Sequence, residues 1–486
     1  MVSRLDVGGR DVGLAESGFR PTLRFAPQIA ASPRRRFALS PLRPGRICNL
    51  SNNRAACPDT NHQSLPCMPE FYDIIIVGGG PAGSTAGTLL AKQGWKVAIF
   101  EKEQFPRFKI GESLLPGSLC TFERMGVKEK IDRADVIVKY GGKIVSACGT
   151  SSNRFLFSNV FRCKYPTAYQ VERSRFDHIL LDHAAETGCE VRQGEKVTDF
   201  SCDQDGVTIH TTTGEFRSRY LIDCSGRNSL VGTHFNLRRN YPELRKFSLY
   251  AHFEGVDRPT GIDGTLTQMV RGRDRWFWII PITASKTSIG VVLDAQTFKR
   301  MKLSPEAAFL RILQENPKVI DQMSGARRVT DVYATGDFSF RNQRFTGDRW
   351  VLAGDAAGFI DPVWSSGVFI AVLSGEKAAD ILDRVLRRPE RRPVEFKRYE
   401  RHLGRVMDLY LRLVNSWYTQ EFAEVFLNPQ EFLQLVPAVN SLLAGSEKPL
   451  LQVRWRLWVF NLLVYLQKRF SIIAPRMSLQ PRERLS

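Results

Sequence analysis

Hydrophobic positions first become regular at Phe71. The run Tyr72 to Gly80, YDIIIVGGG, is continuously apolar and ends in glycines, the pattern of a strand buried on both faces of a parallel sheet. AGSTAGTLLAKQG predicts a helix that stops at Gly94, and WKVAIFEKE predicts the next strand. VERSRFDHILLDHAAETG predicts a second helix between Gln170 and about Gly188, after which strands and turns run to RYLIDCSG. From about 236 to 330 the chain alternates with a period of two, in KFSLYAHFEG, GTLTQMV, RWFWIIPI and TSIGVVL, which predicts a sheet. WVLAGDAAGF predicts one more strand and turn, and from about Ala378 the pattern is helical to the end. The whole is an α/β chain. Its first domain is predicted to be discontinuous, over 68–235 and 330–385, with a β-sheet domain at 236–329 and a helical C-terminal region at 386–486.

Residues 1–67 have no such periodicity. They are rich in Arg, Ser, Pro and Asn and cannot bury enough surface to fold alone, so a disordered extension is expected. Met68 opens MPEFYDIIIVGGG, and translation is expected to start there. At 486 residues the chain suits two or three structural units.

The formal net charge of +19 raises nucleic acid, membrane surfaces and acidic molecules as partners. No zinc-finger spacing, RNP-like motif or helix-turn-helix signature is present and the basic residues are dispersed, so no nucleic-acid partner is expected. Nine cysteines without a CxxC pair predict reduced thiols, no zinc or other metal, and a cytoplasmic setting. No run reaches the roughly twenty apolar residues of a membrane span. The longest near the C-terminus, Leu457 to Leu466, is broken by Asn461 and flanked by Arg454, Arg456, Lys468 and Arg469. Such a helix suits membrane-surface contact, or docking on the protein with its arginines snorkelling.

Gly78-Gly79-Gly80-Pro81-Ala82-Gly83 fits GxGxxG between a predicted strand and helix, and Glu101 closes the next strand. Gly78 permits the tight turn, Gly80 lets a pyrophosphate reach the helix N-terminus, and Gly83 lets helix and strand pack. Glu101 can accept hydrogen bonds from a ribose diol. Two later strand ends carry aspartates, Asp223 in YLIDCSG and Asp355 in VLAGDAAG, either of which can bind a ribityl hydroxyl. These features argue for FAD.

The three elements in this order resemble the glutathione-reductase-type FAD proteins, specifically the hydroxybenzoate-hydroxylase-like group, in which the residue matching Asp355 contacts the flavin. FPRFKIGESLLPGS resembles the RxxxGES segment of flavin-dependent halogenases and geranylgeranyl-reductase-like enzymes. That resemblance implies FAD contacts at Arg107 and Glu112, and QVERSRF adds Gln170 and Arg173. Trp276-Phe277-Trp278-Ile279-Ile280-Pro281 fits the WxWxIP signature of the halogenases, whose tryptophans separate flavin from substrate. On a strand Trp276, Trp278 and Ile280 share one face, which gives a wall. Asp361 to Val368, DPVWSSGV, resembles the DPxxSSGV segment of the phenol- and pyrrole-type halogenases. The resemblance implies a chloride site at the amides of Ser366 and Gly367, with Gly367 and Val368 beside the flavin. Amides before a helix make an anion nest. Trp364 stands where tryptophan halogenases carry an acid that positions indole, which argues against free tryptophan as substrate.

Lys139, in VIVKYGGKIV, matches the lysine of the phenolic halogenases, and the resemblance implies that it is catalytic. In that family reduced flavin, oxygen and halide generate hypohalous acid, which reaches the lysine and is passed to an electron-rich ring. The chemistry needs a desolvated amine. SWYTQEFAEVFLNPQEF and VPAVNSLLAG resemble the helical tail of a bacterial group with the same motifs, so the likeness covers Met68 to Gly445.

The resemblance implies FAD, used as FADH2, with chloride or bromide as co-substrate, and an aromatic small molecule, free or carrier-protein bound, as substrate. No second dinucleotide fingerprint is present, so a separate flavin reductase is expected. The alternatives are an NAD(P)H-dependent FAD monooxygenase and a geranylgeranyl-reductase-like prenyl reductase.

Overall fold

The computed structural model describes residues 70–336, 338–429 and 432–481; the expected extension over 1–67 and the start at Met68 lie outside the described residues. Two large sheets organise the molecule. In the first, Glu190–Gln193, Val97–Glu101, Phe71–Val77 and Glu215–Asp223 lie side by side and parallel, and Trp350–Leu352 adds a parallel partner to Glu215–Asp223. Ile74, Ile75 and Ile76 are all fully buried, so both faces of the central strand are covered, as its unbroken apolar run predicts. The helix Pro81–Ala91 follows the glycine turn and packs against the helix Ser366–Arg387, returning from far along the chain.

The second sheet has eight strands. Lys246–Glu254, Lys286–Asp294, Arg275–Pro281 and Thr267–Arg271 form its antiparallel centre. It also draws Gly141–Ser146 and Ser152–Leu156 from the stretch that sequence periodicity placed wholly in the first domain. Glycine makes that junction possible. A Cβ on Gly141 would sit 2.0 Å from the Phe155 carbonyl oxygen. Just before it, Ile137–Lys139 pairs with Ala168–Gln170 in a two-stranded ribbon.

Alternation along Arg275–Pro281 divides its side chains. Trp276, Trp278 and Ile280 join one apolar cluster, while Phe277 and Ile279 join another, with Phe309 and Ile312 of the helix Pro305–Gln314. The neighbouring strand is shaped to the rings. Gly290 lies opposite Trp278, and a Cβ there would stand 2.2 Å from the indole. The C-terminal region is helical, in Arg392–Trp417, Gln420–Leu427, Leu435–Leu443 and Leu451–Phe470.

Gly290→Ala therefore has no space for its methyl unless the Trp278 ring moves. The expected cost is about 1–3 kcal/mol of stability, the usual range for overpacking, measured as a lowered thermal midpoint; an unchanged midpoint would contradict this packing.

Candidate functional site

A cavity of about 950 Å³ runs from the glycine turn to the tryptophan strand. At the turn, Gly78 has φ +105°, and a Cβ would lie 2.3 Å from the Cys224 carbonyl oxygen. A Cβ on Gly83 would lie 1.9 Å from the carbonyl oxygen of Gly78. Glycine is thus required twice by close backbone approach. The Glu101 carboxylate accepts from the amides of Gly79 (2.8 Å) and Glu103 (3.0 Å) and faces the cavity with lone pairs to spare. No side chain caps the helix at Gly80, and Pro81 carries no N–H, so the first-turn amides that follow it have no side-chain acceptor at the cap.

Two guanidinium groups line the next part of the cavity. Arg107 and Arg173 both donate to Asp177, a fully buried carboxylate, at 3.0 Å from Arg107 and at 2.8 and 2.9 Å from Arg173. Arg173 also donates to the Ile110 carbonyl at 2.6 Å. The clamp aims two cations at the cavity with one anion behind them. Asp355 lies on the same wall. Its carboxylate has no hydrogen-bond partner among the described residues, and burial holds its pKa above the usual carboxylate range against the nearby Arg227, Arg173 and Lys109. Of the two strand-end aspartates, Asp355 alone is available to a ligand. Asp223 is committed to its own loop, accepting from the Ser225 amide (2.9 Å) and hydroxyl (2.6 Å), the Ser229 hydroxyl (3.1 Å) and the Val231 amide (2.9 Å). The glycine turn, the free Asp355 and the arginine pair make a donor set that fits a dinucleotide with a polyhydroxyl chain, as FAD has.

Further along, Glu112 faces the cavity and is held by the buried His252 at 3.0 Å. Lys139 sits one hydrogen bond behind the wall. Its Nζ donates to Ser113 Oγ at 2.7 Å and to the Leu114 carbonyl at 3.1 Å, and lies 5.2 Å from the centre of the Phe157 ring. Ser113 Oγ meets Thr267 Oγ1 at 2.9 Å, and Gln170 donates to the same threonine at 2.9 Å. Ser113 and Thr267 both line the cavity. Lys139 is 2% exposed, and burial alone lowers its pKa to about 7.

Trp276 and Trp278 form the far wall, their rings 5.9 Å apart. Trp278 Nε1 donates to Ser288 at 3.1 Å. Trp276 Nε1 donates at 3.1 Å to Tyr418 Oη, which donates at 2.8 Å to Asp361; burial pushes that carboxyl up to about 6. The helix Ser366–Arg387 begins at this wall. Ser365 precedes it in the left-handed region (φ +56°) and makes no capping bond through its side chain, so the first-turn amides have no side-chain acceptor there. Gly367 and Val368 line the cavity, whereas Ser366 is buried. Trp364 does not line the cavity; it packs edge-on against Trp417, ring centres 5.1 Å apart, and near Phe422 and Phe426.

Most of the expected residues thus line one cavity, whereas Gly79, Gly83, Lys139, Gln170, Asp223, Trp364 and Ser366 lie off its surface. Asp177, His252, Ser113, Thr267 and Tyr418 escaped the sequence reading. Only Asp177 had a local signal, four residues after Arg173 on one helix. Among the described residues no cluster of His, Cys, Asp and Glu is arranged to hold a metal.

The FAD binding domain family matches residues 71–403. The chain is 30% identical over 432 residues to a 1H-pyrrole-2-carbonyl-(peptidyl-carrier protein) chlorinase of Pseudomonas fluorescens, covering 83% of this chain and 91% of that one. It is 33% identical over 331 residues to the corresponding brominase of Pseudoalteromonas luteoviolacea, covering 66% of this chain and 79% of the relative. Among solved structures it resembles a flavin-dependent brominase, with TM-score 0.73 and 27% identity over 82% of this chain and 99% of that one. It also resembles the myxobacterial chondrochloren halogenase, with TM-score 0.69 and 28% identity over 82% of this chain and 97% of that one.

Tyr418→Phe removes the link between Trp276 and Asp361. The charge-assisted bond to Asp361 exists when that carboxyl is ionised, above about pH 6. The variant is expected to lose about 1.5–3 kcal/mol, the range for a hydrogen bond to a charged group, in denaturant titrations at pH 8. The loss shrinks as pH falls through 6, because protonation of Asp361 removes the charge from the native pair. A pH-independent loss would contradict the assignment.

Proposed function

Because this chain belongs to the flavin-dependent halogenases of the FAD binding domain family, we propose that it halogenates an electron-rich pyrrole- or phenol-like ring with Lys139 as the group that transfers the halogen. The observation that carries the reading is the Lys139 amine, buried with no carboxylate partner among the described residues and connected through Ser113 and Thr267 to the cavity. Bound FAD, when reduced, supplies the oxygen chemistry that converts chloride or bromide to hypohalous acid.

The residues of the chain do the rest. The glycine turn and Glu101 hold the adenosine end, and Arg107, Glu112, Arg173 and Asp355 hold the centre. The amides of Ser366 and Gly367, at the start of a 22-residue helix, bind halide. Trp276 and Trp278 keep the ring apart from the cofactor. The neutral Lys139 amine attacks the halogen of hypohalous acid and releases water. The chloramine or bromamine then delivers its halogen to the ring as the nitrogen–halogen bond breaks, and the ring proton passes to the nitrogen, which restores the amine. Ser113 orients the amine and Thr267 fixes Ser113.

The two carrier-protein-dependent relatives support a substrate delivered on an acidic carrier protein, and the net charge of +19 suits such a partner. A separate flavin reductase is the source of reduced cofactor.

The test supplies reduced FAD, oxygen and bromide with pyrroles and phenols, free and carrier-bound, and reads products by mass spectrometry. Lys139→Ala is expected to bind FAD normally and lose product formation by at least about 100-fold, the lower bound for losing a positioned proton-transfer or nucleophilic group. An oxygenated product formed without halide would overturn the reading.

A pH profile separates two roles of the amine. The folded ammonium gives up its proton near 7, so a neutral nucleophile becomes available above that pH. Single-turnover halogen transfer is expected to rise through about pH 7 and then level; a rate that falls through the same pH would show that the ammonium form acts instead.

A further inference from the structure

Among the described residues, none covers one face of the helix Leu451–Phe470. Leu451, Trp455, Trp458, Leu462 and Tyr465 recur in steps of four and three and are exposed, Leu451 to 77%, Trp458 to 65% and Tyr465 to 62%. At 3.6 residues per turn these positions form one stripe, which Ile472 continues beyond the helix end. The opposite side is fixed. Val453, Phe460 and Gln467 are buried; Phe460 packs on Phe422 with ring centres 5.7 Å apart, and Gln467 donates to Glu424 at 2.7 Å and to the Ala474 carbonyl at 3.0 Å. Arg456 donates to the Leu433 carbonyl at 2.8 Å, a further tie between the helix and the rest of the fold.

The helix carries Arg454, Arg456, Lys468 and Arg469 and no acidic residue. Arg454, Lys468 and Arg469 are exposed and make no ion pair among the described residues. A second copy of the same helix would set these cations against one another with no acid on either helix to pair them. An anionic lipid surface satisfies both features at once. Indole and phenol rings favour the boundary between headgroups and acyl chains, and the cations meet lipid phosphates. No helix among the described residues is long and apolar enough to cross a membrane, so the contact lies along the surface.

We propose that the helix Leu451–Phe470 docks this protein on an anionic phospholipid surface, with Trp455, Trp458 and Tyr465 inserted among the headgroups. The proposal is independent of the halogenation reading.

The full chain with FAD bound is sedimented with phosphatidylcholine vesicles, with and without phosphatidylglycerol. Binding is expected only to the anionic vesicles and is expected to weaken with salt. Lys468→Gln with Arg469→Gln should lower partitioning roughly 30-fold, at about fivefold per cation near the surface. Trp458→Glu with Tyr465→Glu should abolish it while flavin absorbance and the thermal midpoint stay unchanged, since both side chains are exposed. Equal binding to neutral vesicles, no binding to anionic ones, or binding unchanged by Trp458→Glu with Tyr465→Glu would overturn the proposal. So would an oligomer in size-exclusion chromatography that this double variant dissolves, because the stripe would then be a protein interface. If a variant fails to fold, the lipid-composition and salt series on the native chain still decides between the outcomes.

Discussion

A strand turns its side chains to two sides in turn, and in Arg275–Pro281 both sides are committed. One side supplies the tryptophan wall of the cavity and the other the core beneath the helix Pro305–Gln314. A shift of register by one residue would send Phe277 and Ile279 into the cavity and drive both indoles into the core. The wall therefore inherits the rigidity of a packed interior. Its neighbours agree with that demand: Gly290 leaves space for Trp278, Ser288 accepts its N–H, and Tyr418 reaches in from the C-terminal region to hold Trp276. The helical region thus supports the site from behind, and none of the described residues lining the cavity comes from it.

The cavity contains two opposite treatments of positive charge. Arg107 and Arg173 both donate to Asp177, so a carboxylate lies against each cation. Lys139 is buried as deeply but faces hydroxyl and carbonyl oxygens and the Phe157 ring, with no carboxylate among its partners. Desolvation then acts alone and favours the neutral amine. The difference is one of neighbours rather than depth. It gives carboxylate-compensated cations on the cavity surface and, behind that surface, an amine that burial drives toward its neutral form.

What the sequence revealed and what it hid divide along range of contact. The glycine turn, its strand and Glu101 are local, and their geometry follows from spacing. The common face of Trp276 and Trp278 follows from a period of two. The burial of Lys139 depends on Ser113 and, through it, on Thr267, which are remote in the chain, so no local pattern distinguishes it from a surface lysine such as those elsewhere in the sequence. The same holds for Gly141–Ser146, whose place in the second sheet is set by a strand beginning at Thr267. At Asp223 and Trp364 the sequence offers position alone. The first is consumed by hydrogen bonds of its own loop, and the second by aromatic packing behind the wall.

The Asp177 clamp also bears on how such a site changes over generations. Two arginines that share one carboxylate are a single unit: loss of either leaves the anion half-compensated, and loss of the anion leaves two adjacent cations in a buried place. Lysine is a poor substitute at either position, because the fork that binds Asp177 while pointing a second edge elsewhere belongs to guanidinium. Position 177, which need never touch a ligand, is therefore bound to vary in step with 107 and 173. Descendants of this chain would keep the three residues together or surrender them together.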